Sequence, residues 1–246
     1  LGTRFMQVAE ITAAPDGYRL VRAAELTFGD DDALQDPAAL GKKLSQFLKQ
    51  NAFSASSAVV GMPAQWLMLK ESTVPPAPAE VLRSMLAIQA ERDFSLEPSA
   101  LAVDYLSGTR SSEGQPVVLV AALRERVEQI KALLHAAGLK LQAISSTSLV
   151  LASVCKDAGI LYFGRGGAEL IVRAGSALPR LRHLSPGVSG KVLPASEARQ
   201  SSMVQLASEL RRAVALQQDA GCSEMTVWND AGIEPAELQE LAAELH

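Results

Sequence analysis

One pattern appears twice in this chain, and it constrains the architecture more than any other feature: short strands joined by a glycine-bearing turn, then a helix, then another strand. In the first copy, residues 5–12 and 18–27 partly alternate apolar and polar side chains, with Pro15-Asp16-Gly17 between them as turn punctuation. Leu40, Leu44, Phe47 and Leu48 then recur at helical spacing up to Asn51, and Ala58-Val59-Val60-Gly61 reads as a short buried strand. In the second copy, strands over 159–163, 168–173 and 177–184 are separated by Gly164-Arg165-Gly166-Gly167 and by Gly175-Ser176. Met203, Leu206, Leu210, Ala213 and Val214 stripe a long helix ending near Gly221, Met225 to Trp228 is a strand, and Pro235 opens a final helix to Leu245. Each strand group has one apolar set that a helix must cover, so the chain is predicted to be layered α/β.

A smaller module lies between Pro63 and Gly138. Met62-Pro63 breaks the preceding strand, and a strand from Trp66 to Thr73 stops at Val74-Pro75-Pro76-Ala77-Pro78, whose prolines cannot donate ladder hydrogen bonds. Val81, Leu82, Met85, Leu86 and Ile88 predict a helix to about Asp93, and 102–106 and 117–123 predict two strands. Val127, Ile130, Leu134 and Ala137 stripe a second helix that Gly138 closes as a C-terminal cap. The order is β-α-β-β-α, enough for a small sheet with helices on one face. After it, 139–144 reads as a strand and 146–154 as a helix, with Ser145-Ser146-Thr147 supplying the N-cap oxygen.

Charge and cysteine usage exclude several functions. The 246 residues carry 23 Lys+Arg against 27 Asp+Glu, a net charge of −4, which supplies no basic footprint for a nucleic-acid backbone. Cys155 and Cys222 are far apart and form no C-x-x-C pair, so neither a disulfide framework nor a cysteine zinc site is indicated. His135, His183 and His246 show no H-x-x-x-H spacing, so no metal site is predicted. The longest apolar run, 117–123, falls well short of the roughly 20 residues of a membrane helix. Leu1-Gly2-Thr3-Arg4 reads into a strand pattern at once, as if the sequence begins inside an element.

Several stretches resemble the PilM-like branch of the actin-like proteins, which also holds FtsA and the secretion protein GspL. Gly2-Thr3-Arg4-Phe5-Met6-Gln7-Val8-Ala9-Glu10 is similar to their first-strand motif, and Val59-Val60-Gly61-Met62-Pro63 with 67–76 is similar to the opening of their inserted subdomain. Ala90-Glu91-Arg92-Asp93-Phe94 resembles the end of that subdomain's first helix. Val118 to Glu125, followed by Ala136-Ala137-Gly138-Leu139, resembles its last strand and helix. The resemblance implies an actin-like (ribonuclease H-like) two-domain fold with a small inserted β-α-β-β-α subdomain. Residues 1–62 with 139–156 form the first actin-like subdomain, 63–138 the insert, and 157–246 a second actin-like domain, shortened after Leu184.

An actin-like nucleotide site needs two glycine-rich turns that cradle phosphates, acids that organise magnesium, and a late open turn against adenosine. By resemblance, Gly2, Thr3 and Arg4 are the remnant of the first phosphate turn, and Gly164, Arg165, Gly166 and Gly167 of the second. The departures are specific. Tyr162-Phe163 stands where an acid is expected before the second turn, and Asn229-Asp230-Ala231-Gly232-Ile233-Glu234-Pro235 places side chains where a base would approach. A phenol does not replace a carboxylate in holding a metal ion at neutral pH. Asp230 reads as a turn residue that hydrogen-bonds locally. The site is therefore expected to hold no cofactor, with ATP and magnesium as the alternative, and no catalytic residue is assigned.

No nucleophile elbow, P-loop or dinucleotide fingerprint is present, the serines at 54–57 and 145–148 read as caps and loop residues, and Gly29-Asp30-Asp31-Asp32 reads as a solvated turn. The resemblance implies a non-catalytic cytoplasmic scaffold of a type IV pilus inner-membrane platform, peripheral to the membrane and working with other platform proteins. It would be held there by the cytoplasmic tail of a PilN-like single-span protein, seated in a groove between the first subdomain and its insert. The alternatives are an ATP-binding or ATPase platform protein and a type II secretion GspL-like cytoplasmic domain.

Overall fold

The computed structural model describes residues 1–2, 4–29, 33–112, 114–155, 159–164, 167–173, 178–184, 196–215 and 224–245. The chain divides into two compact units: Leu1–Met62, Ser99–Ala102 and Ala122–Ser145 in one, and Pro63–Pro98, Val103–Ala121 and Ser146–His246 in the other.

In the first unit, strands β1 (Phe5–Ala14) and β2 (Gly17–Thr27) form an antiparallel hairpin with Ala14 opposite Gly17, so Pro15-Asp16 is a two-residue loop. A register shift at Glu10/Ile11 marks a bulge, which adds local twist. Helix α1 (Pro37–Gln50) starts where Asp36 accepts a hydrogen bond from the Ala39 amide at 2.9 Å and Pro37 pre-sets the first helical φ. Strand β3 (Ser57–Met62) pairs with the later strand β7 (Lys140–Ser146). Helix α3 (Arg124–Ala136) ends at Gly138, whose φ of +77° is left-handed. The Leu139 amide reaches back to the Leu134 carbonyl and the Gly138 amide to that of His135, the paired bonds of a Schellman cap. Helices α1 and α3 pack closely at buried Gly41, where a Cβ would stand 2.5 Å from the Leu133 carbonyl oxygen.

The second unit holds two sheets. Strands β4 (Leu67–Val74), β5 (Leu101–Ser107) and β6 (Gln115–Leu123) line up as β4-β6-β5, with β6 central. That centrality explains why Val117, Val118, Leu119 and Ala121 are all buried. Helix α2 (Ala79–Phe94) sets Leu82 and Leu86 against Val74, Val117 and Leu119.

The larger sheet runs β10-β9-β8-β11, with β8 (Gly159–Gly164), β9 (Gly167–Val172) and β10 (Arg180–Leu184) as an antiparallel meander. Strand β11 (Met225–Asn229) joins parallel to β8 after helix α5 (Ser196–Ala215), as a parallel pairing requires a crossover, and helix α6 (Pro235–Leu245) follows. Both faces of the meander are covered, by alternation with period two. Leu161, Phe163, Leu170 and Val172 pack with Leu206 and Leu210 of α5, whereas Ile160 and Ile171 pack with Ala152 of helix α4 (Thr147–Val154). Each such aliphatic burial contributes about 1.5–3 kcal/mol. The third strand of the meander starts at Arg180, later than its expected start at 177, and the expected helix end near Gly221 lies outside the described residues.

Candidate functional site

The β8–β9 turn is built by its flanking pairs. Gly164 lies opposite Gly167 at the end of the ladder, and Arg165 and Gly166 between them lie outside the described residues. Both framing glycines sit under aromatic rings: a Cβ at Gly164 would meet Tyr162 Cε1 at 2.8 Å, and one at Gly167 would meet His183 Cε1 at 2.5 Å. Gly167 also has φ +151°, which L side chains rarely adopt. Burial lowers the pKa of His183, keeping its ring neutral at pH 7.

Tyr162 stands opposite Glu169 across the ladder, and Asp230 follows β11, its amide donating to the Phe163 carbonyl at 2.8 Å. Burial, then the charges of Asp230 and Glu169, push the Tyr162 phenol up to about 12, so it remains a neutral hydrogen-bonding group. Glu169 is a buried acid in an otherwise apolar strand. Its Oε1 accepts from the Ala64 amide at 2.9 Å, its Oε2 is buried with no hydrogen-bond partner, and desolvation raises its pKa against the opposing pull of that amide. Sequence reasoning missed this residue; a lone carboxylate inside Ala-Glu-Leu-Ile-Val was the available signal.

The late turn is closed by one side chain. Asn229 accepts from the Ile233 amide at 3.0 Å and donates to the Ile233 carbonyl at 2.7 Å, with Gly232 at φ +69° between them. Ala231 and Ile233 point into the core beside Phe163 and Leu241. Those two side chains therefore anchor the turn by hydrophobic burial.

In the first unit, the Gly2 amide donates to the Phe5 carbonyl at 2.8 Å, and the Arg4 carbonyl accepts from the Phe28 amide. Thr3 lies outside the described residues. Nearby, a polar clamp joins β1, β2 and the segment after α1. Glu10 accepts from the Ser54 hydroxyl at 2.6 Å and pairs with Arg22 at 2.9 Å, and Arg22 also donates to the carbonyls of Asn51 and Ala52. The hydroxyl bond from Ser54, more than the Arg22 charge, holds the Glu10 carboxyl below its ordinary range. The guanidinium lies 5.8 Å from the Phe53 ring centroid, and Ala52, left-handed at φ +56°, closes α1 in a Schellman cap in which the Phe53 amide reaches the Leu48 carbonyl and the Ala52 amide that of Lys49. Three distant segments meet here, so spacing in the sequence carried no trace of the clamp.

The remaining candidates are scattered. Cys155 is a free thiol at the end of α4, and its carbonyl and that of Ala152 accept from Arg173. Ser146 caps α4 through the Leu149 amide. Cys222, His246 and residues 30–32 lie outside the described residues. Among the described residues, no group of three or more His, Cys, Asp or Glu could hold a metal ion, and no helix is long and apolar enough to cross a membrane.

No protein-family model matches the sequence, and no curated protein matches it. Solved structures do. The chain is similar to one in the PilM-PilN type IV pilus biogenesis complex, with a TM-score of 0.82 at 19% identity, over 100% of this chain and 84% of that one. It is also similar to the cytoplasmic domain of EpsL, an inner-membrane component of the type II secretion system of Vibrio cholerae, with a TM-score of 0.56 at 14% identity, over 98% and 90% of the two chains. The fold is actin-like, of the PilM form that the sequence motifs pointed to.

Proposed function

We propose that this chain is a non-catalytic scaffold of a type IV pilus inner-membrane assembly platform. It resides in the cytoplasm and is held at the membrane by the cytoplasmic tail of a PilN-like single-span protein. The observation that carries this reading is the end-to-end likeness of fold to the PilM-PilN complex. Residues 1–62 with 139–156, 63–138 and 157–246 act as first subdomain, insert and second domain. An extended tail binds such a scaffold through main-chain hydrogen bonds, and side-chain pockets set its register.

Nucleotide hydrolysis is no part of this function. In support, Tyr162 offers a neutral phenol where a magnesium-organising acid is needed, and the late turn buries Ala231 and Ile233 in the core. On this reading Gly2, Thr3, Arg4 and Gly164 to Gly167 hold no phosphate. The test is calorimetric titration of the purified chain with tail peptides of candidate single-span partners, and separately with MgATP. Saturable peptide binding with no heat from millimolar MgATP is expected. MgATP binding that precedes or replaces peptide binding would overturn the scaffold reading.

A further inference from the structure

In the second unit, the face of the β8–β9–β10 meander that turns away from α5 is covered in two steps. Helix α4 covers Ile160 and Ile171 through Ala152. Further along the strands, Tyr162, Glu169 and His183 stand opposite one another in one row on the same face, and here the chain reaches the sheet at Ala64. Ala64 is buried and opens the short 3₁₀ turn Ala64–Trp66, from which β4 departs. Pro63, ahead of the turn, supplies no side-chain cap. The cap comes instead from Glu169, 105 residues away, whose Oε1 accepts from the Ala64 amide. A second link between the same two strand groups, Arg180 of β10 with Glu71 of β4 at 3.1 Å, is solvated at both ends and holds weakly.

The bond from Ala64 occupies one carboxyl oxygen; the other, Oε2, is buried with no hydrogen-bond partner. Ionised, the group leaves half of its charge facing neither a donor nor water, whereas the neutral acid leaves only a hydroxyl there. The titratable and charged groups on the surrounding elements give that charge no relief. Tyr162 on β8 is a neutral phenol, Asp230 after β11 is itself an acid, and His183 on β10 is held neutral at pH 7 by burial. Cys155 ends α4, and Arg173 is taken up by the carbonyls of Ala152 and Cys155. The turn itself carries only Gln65 and Trp66 beside Ala64.

We propose that Glu169 is a proton-controlled latch: as the neutral acid it clips the Ala64–Trp66 turn, and with it the start of β4, onto the meander, and on ionisation it lets that turn go while the sheet beneath stays folded. This conformational device lies within the second unit and stands apart from the proposed partner. Burial raises the Glu169 pKa in the latched state, so the hold is full below pH 4.5 and declines as pH rises from there through the raised value. His183 titrates with the opposite sign. Its pKa is lowered by burial, so its contribution is lost as pH falls, and it cannot produce the same decline.

The test is amide exchange followed by NMR from pH 4 to 8, read as protection factors so that the intrinsic pH dependence of exchange drops out. It compares the native chain with Glu169→Gln, which stays neutral and keeps an acceptor, with Glu169→Ala, which has none, and with Arg180→Ala, which breaks only the exposed pair. Protection at Ala64 is expected to fall about tenfold or more across the range in the native chain and in Arg180→Ala, and to stay level in Glu169→Gln. In Glu169→Ala it should be about tenfold lower already at pH 4. Leu170 and Ile171, in the central strand β9, should keep their protection throughout. Level protection at Ala64 in the native chain would overturn the proposal, as would an equal decline in Glu169→Gln. So would a parallel loss at Leu170 and Ile171, because the whole sheet would then respond rather than the turn. The comparison with Glu169→Gln decides the question even where Glu169→Ala does not fold.

Discussion

Replacing Gly41 with alanine sets helix propensity against packing, and the structure decides the sign. In the interior of an exposed helix the change would stabilise by about 1 kcal/mol. Gly41, however, is buried where α1 meets α3, and the new Cβ would lie 2.5 Å from the Leu133 carbonyl oxygen and 2.6 Å from Ala136 Cβ, against 3.4–4 Å for ordinary contact. Two of the obstructing groups are backbone or directly attached to it, so no rotamer change relieves them. The helices must separate by on the order of 1 Å, which forfeits a quarter to a half of the dispersion well at each contact. Overpacking of this kind costs about 1–3 kcal/mol, and the upper end applies because the obstruction is rigid. After subtracting the propensity gain, Gly41→Ala is expected to destabilise by about 2 kcal/mol. The assay is urea unfolding followed by far-UV circular dichroism, since both tryptophans, Trp66 and Trp228, lie in the other unit. Lys43→Gly, at an exposed site on the same helix, is the control and should cost about 0.7–1 kcal/mol. Stabilisation of Gly41→Ala by about 1 kcal/mol would refute the close approach of the two helices.

Three further outcomes are expected. Because burial raises the pKa of Glu169 in the folded state, the native protein holds the extra proton, so this group's contribution makes stability fall as pH rises from 4.5 through the raised value. Glu169→Gln keeps an acceptor for the Ala64 amide and should flatten that part of a urea-midpoint profile measured from pH 4 to 8; an unchanged profile would contradict the assignment. Leu210→Ala empties a fully buried position beneath the β8–β9 meander and should cost about 3–4 kcal/mol in denaturant unfolding, far more than at an exposed leucine. Asp36→Ala removes the oxygen that caps α1 and should cost about 1 kcal/mol, whereas Asp36→Asn should cost little.

Most element positions could be read from the sequence because they depend on local chemistry. Apolar spacing placed α1, α2 and α3, Gly138 marked a left-handed cap, and Pro15-Asp16-Gly17 marked a hairpin turn. The aromatic cover of Gly164 and Gly167 could not be read, because His183 comes from a different strand and meets Gly167 only through the β9–β10 register. The same reason hid the Glu10–Arg22–Ser54 clamp and the buried Glu169, each of which joins residues far apart in the chain.

What the sequence determined by itself was therefore the type and order of the elements, the twice-used meander and helix, and a set of motifs pointing to the PilM form of the actin-like fold. The tertiary structure alone decided the order of strands within each sheet, including the central place of β6, and which carboxylates lose their water. It alone also brings residues of β1, β3, α1 and α3 around one cavity in the first unit. The physical reason is that a strand's propensity is a property of a few neighbouring residues, whereas its partner is chosen by the burial of a whole face and by hydrogen bonds between segments dozens of residues apart.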